Sequence, residues 1–217
     1  LWKGGYKIMD RELIERFLLK STIPEAPKNT HENKRLWDAI WRAHRDVLTG
    51  RFYLKKYCGQ SKNDAKDGTK DDAKNNTNLV AEELYHLIAE KKPSEKLSSE
   101  KLICSLETQS MQTDSKFKDV EFGAIQKLVN MSLKYIIILN EFENTNWEVI
   151  PVDETACDCP LDSIILSQLK KDNGKSHTGW TKIEKEEYKK VQQEIKNELE
   201  KQGKGGLGNL YYDFMNW

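Results

Sequence analysis

An all-α fold is predicted by two observations. Apolar residues recur at helical spacing in nearly every element, and residues 122–140 are the most apolar stretch of an otherwise polar chain. That stretch carries Ile125, Leu128, Val129, Leu133, Ile136, Ile137 and Leu139 at helical positions. A chain of 217 residues is long enough to bury one sizeable core without disulfide staples. The expectation is a single compact helical domain over residues 1–217, built around the 122–140 helix.

The elements follow in order. Asp10 can cap a short helix with Leu13, Ile14, Phe17 and Leu18 on its apolar face, ended by Pro24 and Pro27. A longer helix runs from residue 29 or 30 to about Gly50, with Leu36, Trp37, Ile40, Trp41, His44, Val47 and Leu48 on one broad face. Residues 52–57 form a short aromatic element. Residues 58–78, rich in Lys, Asp, Asn and Gly, have almost nothing to bury and predict a mobile surface loop or insertion. Amphipathic helices are expected at 79–90, closed by Pro93, and at 94–111. A charged linker at 113–119 then leads to the central helix.

Beyond Asn140 the helical period is lost, and residues 147–152 read as extended. Pro160 opens a new element in which Asp162 stands at the N-cap or first turn, followed by Ile164, Ile165, Leu166 and Leu169. Turn residues at 172–179, then Trp180 and Thr181, precede a highly charged helix over about 182–202. Its narrow apolar stripe is Ile183, Tyr188, Val191, Ile195 and Leu199. A glycine-rich turn leads to an aromatic terminal segment, 210–217, expected to dock back on the body.

Thirty-five basic and 35 acidic residues cancel, so bulk charge points to no particular partner. Any nucleic-acid surface has to come from local patches such as Arg51, Lys55 and Lys56, or Lys170 and Lys171. The cysteines are Cys58, Cys104, Cys157 and Cys159. One C-x-C pair with no histidine close by in sequence lacks the second ligand pair of a zinc site, so reduced thiols are expected, with no metal and no cofactor. No run approaches the length of a membrane span, and the first residues carry no signal-peptide core. A cytoplasmic monomer without a membrane partner is the expectation.

The central helix is not uniformly apolar. Gln126, Asn130 and Lys134 fall at i, i+4 and i+8, with Lys127 beside them, and buried amides and ammonium groups are costly unless each finds a partner. Four such residues on one apolar helix read as the floor of a polar pocket. Lys127 and Asp162 offer a division of labour: a lysine in an apolar setting is a candidate amine nucleophile, and a carboxylate at a helix N-terminus stays ionised and can stabilise a cation.

The order of these residues also carries a resemblance. Gly123-Ala124-Ile125-Gln126-Lys127, an apolar helix, irregular chain, and then Pro160-Leu161-Asp162 before an apolar helix resemble the core of the helix-hairpin-helix DNA glycosylase superfamily. Gly123 stands four residues before Lys127 as that family's first glycine does, and Ile125 stands where the family has its second. The order Lys127, Lys134, Asp162 is most similar to the archaeal 8-oxoguanine glycosylase branch. The resemblance covers residues 120–170, the candidate catalytic core.

It implies double-stranded DNA carrying a damaged or modified base as the partner, with the target nucleotide flipped out and its base excised. Asp162 would stabilise the charge developing on the sugar, and Lys127 would attack the anomeric carbon if the strand is also nicked. Gln126, Asn130 and Lys134 would then line the base pocket, with Trp37, Trp41 or Trp180 as a stacking surface. Asp153, in an I-P-V-D context, is a rival for the carboxylate role. The alternative is a non-enzymatic regulator or effector that binds another protein through its aromatic tail or the charged 182–202 helix. Convergence separates the two: a glycosylase needs Lys127 and Asp162 facing one concave, basic, aromatic-lined cavity, and a binding module leaves them apart.

Overall fold

The computed structural model describes residues 31–48, 67–92, 94–112, 117, 120–142 and 149–216. Among these it holds seven α-helices: α1 (Lys34–Leu48), α2 (Asp67–Ala89), α3 (Ser99–Ser110), α4 (Phe122–Phe142), α5 (Ser163–Asn173), α6 (Lys185–Lys201) and α7 (Leu210–Asn216). No strand occurs among the described residues, so the all-α class holds there. An isolated bridge joins Leu97 to Val152, through Leu97 N–H to the Pro151 carbonyl and Asp153 N–H to the Leu97 carbonyl, both 2.9 Å. The expected helix near Asp10, the basic 51–56 patch and Cys58 lie outside the described residues.

Helix α4 is the spine. It packs against α1 and α3 and against a 3-10 turn at Trp180–Lys182, while α2 packs on α1 and α3 and α5 packs on α7. Leu128, Val129, Leu133 and Ile136 are fully buried; side chains of this kind each contribute about 1.5–3 kcal/mol. By length and composition the 122–141 stretch could cross a membrane, contrary to the expectation that no run is long enough. Here 94% of that window is buried inside the protein, which is how a core helix looks.

Two helix starts differ from the sequence reading. Residues 67–78, taken as part of a loop, begin α2. They carry no apolar period to read, but lengthening an existing helix adds one hydrogen bond per residue without a second nucleation cost, and the apolar 79–88 half supplies the nucleus. The helix expected from residue 94 begins at Ser99, because Leu97 is held extended by its bridge to the 151–153 segment. Elsewhere the caps are those the residue types favour. Asn33 Oδ1 accepts from Leu36 N–H at 3.0 Å to start α1, and Gly174, at φ 76°, ends α5 in the left-handed conformation that glycine adopts without strain.

The polar stripe of α4 is a seam rather than the floor of an open pocket. Gln126, Asn130 and Lys134 are wholly buried and Lys127 nearly so. Each meets a different C-terminal segment: Gln126 the backbone of Leu161, Lys127 the cap of α5, Asn130 a tyrosine of α6, and Lys134 an aspartate of α7. The aromatic tail docks as expected, with Tyr211, Tyr212 and Phe214 buried.

Candidate functional site

Asp162 is the N-cap of α5, with extended backbone (φ −141°, ψ −175°). Its Oδ1 accepts from the N–H groups of Ile164 (2.9 Å) and Ile165 (3.0 Å), which leaves Oδ2 to face the spine. Lys127 Nζ lies 3.6 Å from that Oδ2 and 4.6 Å from the centre of the Trp180 indole. The carboxylate is thus held rigidly by one oxygen and presented by the other, beside an ammonium against an aromatic face. Lys127 and Asp162 keep only 9% and 16% of their side chains exposed, so the pair sits at the rim of the core.

Trp180 owes its place to Gly123. A Cβ on Gly123 would stand 2.0 Å from the Trp180 carbonyl oxygen, so the glycine is there for close approach of the 3-10 turn to the first turn of α4. Gly123→Ala is expected to push the turn outward and to destabilise the fold by about 1–3 kcal/mol, read as a lower urea midpoint.

A second ion pair lies deeper in the seam. Lys134 Nζ meets Asp213 Oδ2 at 2.5 Å, with both side chains essentially inaccessible, and stands 5.2 Å from the centre of the Phe214 ring. Burial pushes the Asp213 carboxyl up, and the neighbouring Lys134 opposes that shift. Asp162 raises it further and Lys127 lowers it, so the two pairs sense one another. The Cys159 thiol between them is pushed well up, first by burial and then by the charges of Asp213 and Asp162. It is an inert core thiol, and Cys104, Cys157 and Cys159 are all free.

Several expected site residues have other employment. The Gln126 amide is spent on backbone: Nε2 donates to the carbonyls of Gly123 (3.0 Å) and Leu161 (3.1 Å), and Oε1 accepts from Leu161 N–H (3.2 Å). It therefore has no edge to offer a base. Asn130 Nδ2 donates to the Tyr188 hydroxyl at 2.9 Å, and that hydroxyl donates to Asp158 Oδ2 at 2.7 Å.

Trp37 and Trp41 pack on each other (5.7 Å between centroids) within a cluster that includes His31, Tyr85 and His44, so core packing is their observed role. Of the three tryptophans, Trp180 is the one at Lys127. Asp153 accepts from the Thr155 hydroxyl (2.7 Å) at the start of a 3-10 turn, while Asp162 is the carboxylate paired with Lys127.

Asp213, Asp158 and Gln192 are parts of this seam that the sequence reading passed over, and Tyr188, read there only as part of an apolar stripe, is another. Asp213 carried a signal: a lone acid in the aromatic run Tyr211–Met215 has to find a buried base, and Lys134 is the lysine deepest in the most apolar helix. A separate cavity of about 480 Å³ opens between α3 and α6, lined by Asp158, Tyr188, Phe122, Cys104, Lys185 and Lys196 among others. Burial raises the Asp158 carboxyl there, against the Tyr188 hydrogen bond that lowers it. No family model, no curated protein and no solved structure matches this chain, so its chemistry is read from the Lys127–Asp162 pair itself.

Proposed function

We propose that this protein is a DNA glycosylase that excises a damaged or modified base from double-stranded DNA, with a Lys127-dependent strand-nicking step. The observation that carries the reading is the 3.6 Å approach of Lys127 Nζ to Asp162 Oδ2, with Trp180 beside the amine and Asp162 fixed as a helix cap. Residue order implied that pairing from a resemblance. Of the two surfaces that alternative offered, the aromatic tail is packed into the core, and the charged face of α6 is exposed.

The chemistry follows from the two side chains. The glycosidic bond breaks with its electron pair leaving on the base, and positive charge grows at the anomeric carbon, where a carboxylate lowers the barrier. Lys127 passes a proton to Asp162 and its amine attacks that carbon. Asp162 returns the proton to the departing base. The adduct nitrogen gives a proton to the ring oxygen as the ring opens to a Schiff base, and loss of a proton from the adjacent carbon to water then expels the 3′ phosphate with the bonding electron pair. The protein is taken to act as a cytoplasmic monomer, with Lys170 and Lys171, exposed in the last turn of α5, as local phosphate contacts.

The test is base release from duplexes carrying oxidised, alkylated or naturally modified bases, with borohydride added to reduce any Schiff base. Release by the wild-type protein and a covalent adduct that disappears in Lys127→Ala are expected. Release with an adduct that persists in Lys127→Ala would remove the assigned nucleophile, and no release from any duplex would count against the glycosylase reading.

A further inference from the structure

The segment that presents Asp162 is extended and runs between the cavity and the reacting pair, yet no strand lies beside it. Two glutamine side chains stand in for one. Gln192, on α6, accepts from Cys159 N–H at 3.0 Å and donates to the Cys159 carbonyl at 2.7 Å. Gln126, on α4, accepts from Leu161 N–H at 3.2 Å and donates to the Leu161 carbonyl at 3.1 Å. Each amide thus pairs both backbone groups of one residue, as a neighbouring strand would, at alternate positions along the segment. Pro160 between them has no N–H to pair.

Both amides are themselves oriented. Asn130 Nδ2, held by the Tyr188 hydroxyl, points at Gln126 Oε1 (3.5 Å), and Asn209 Nδ2 donates to Gln192 Oε1 at 3.0 Å. Both glutamines are buried, where an unpaired amide is costly, so neither is free to drift.

We propose that Gln126 and Gln192 are positioning residues for Asp162: they fix the register of residues 158–162 between α4 and α6 and thereby set the distance from the Asp162 carboxylate to Lys127. Gln126 has the larger effect, because Leu161 adjoins Asp162 directly. The catalytic consequence rests on the glycosylase reading; the positioning itself does not.

The experiment replaces Gln126 by Met, which keeps length and loses both grips, and separately by Glu, which keeps the acceptor and loses the donor. Single-turnover base release at saturating duplex, duplex affinity and backbone amide exchange are then measured. Gln126→Met is expected to slow release by about 10- to 100-fold, since small misplacements at a reacting centre have costs of that order, with affinity unchanged. Gln126→Glu should fall between it and the wild type, and Gln192→Met should show a smaller loss of the same kind.

In an Asp162→Asn background, Gln126→Met should cost nothing further, because a residue that acts through Asp162 has nothing left to position. A loss of the same size in that background, or an unchanged rate in Gln126→Met, would overturn the assignment. If the wild-type protein released no base from any duplex, the glycosylase reading would fail and the positioning would be judged on exchange alone. Faster exchange at Leu161, Ile164 and Ile165 in Gln126→Met would uphold it, and unchanged exchange at Ile164 and Ile165 would overturn it.

Discussion

Asp162→Asn is expected to lower base release by about 100- to 10,000-fold, the span that removal of a positioned acid or base produces, while the protein stays folded. Asparagine caps a helix as well as aspartate does, so the bonds from Ile164 and Ile165 to Oδ1 survive the change. What is lost is the charge that faces Lys127. The Lys127 side chain is 9% exposed, unlike that of Lys134, so the stability cost should stay within about 1–2 kcal/mol. Asp162→Ala supplies the contrast: it loses the charge and the cap together, and should lose about 1 kcal/mol more for the same loss of rate. Single-turnover rates and urea midpoints for the pair separate chemistry from folding. Near-wild-type release by Asp162→Asn would dismiss this carboxylate and redirect attention to Asp153.

Lys134→Met carries the second large effect, and it falls on stability. The substitution leaves Asp213 buried without its cation, and breaking a buried ion pair from one side has a cost of about 3–5 kcal/mol. Against the usual 5–15 kcal/mol of a folded domain, that is a large share. Removing both charges is different, because the desolvation penalty of each ion disappears with it. Lys134→Met combined with Asp213→Leu should therefore recover most of the lost stability. Urea midpoints of the two singles and the double decide the matter. A double variant as unstable as either single would mean that packing, not charge, dominates there.

The helices were legible in the sequence wherever an apolar face had to be hidden. Residues 34–48, 79–89 and 185–201 declare themselves by spacing, and Asp162 declares itself as a cap because Pro160 precedes it and an apolar run follows. The beginning of α2 was not legible, since residues 67–78 are helical without a face of their own. Lys127, Lys134, Gln126 and Asn130 could be seen to need partners, but periodicity along one helix says nothing about which distant residue comes to meet it. The partners proved to be a cap, a tail aspartate, a strand-like backbone and a tyrosine. The backbone partners of Gln126 were hidden for that reason: an amide on an apolar helix looks the same in sequence whether it awaits a ligand or grips a neighbouring chain segment.

The seam on α4 also bears on the order of folding. Gln126 meets Leu161 across 35 positions and Asn130 meets Tyr188 across 58, whereas the α3–α4 contacts are between neighbours in the chain. Contacts of long span form late, because the loop must close before they reward it. During synthesis the apolar α4 would thus emerge with two lysines and two amides unpaired, and would wait for the whole C-terminal third before they are satisfied. Until then the spine is the segment most exposed to misassociation and proteolysis. Pairing of Lys134 with Asp213, the most distant of these partners in sequence, would mark the moment at which that exposure ends.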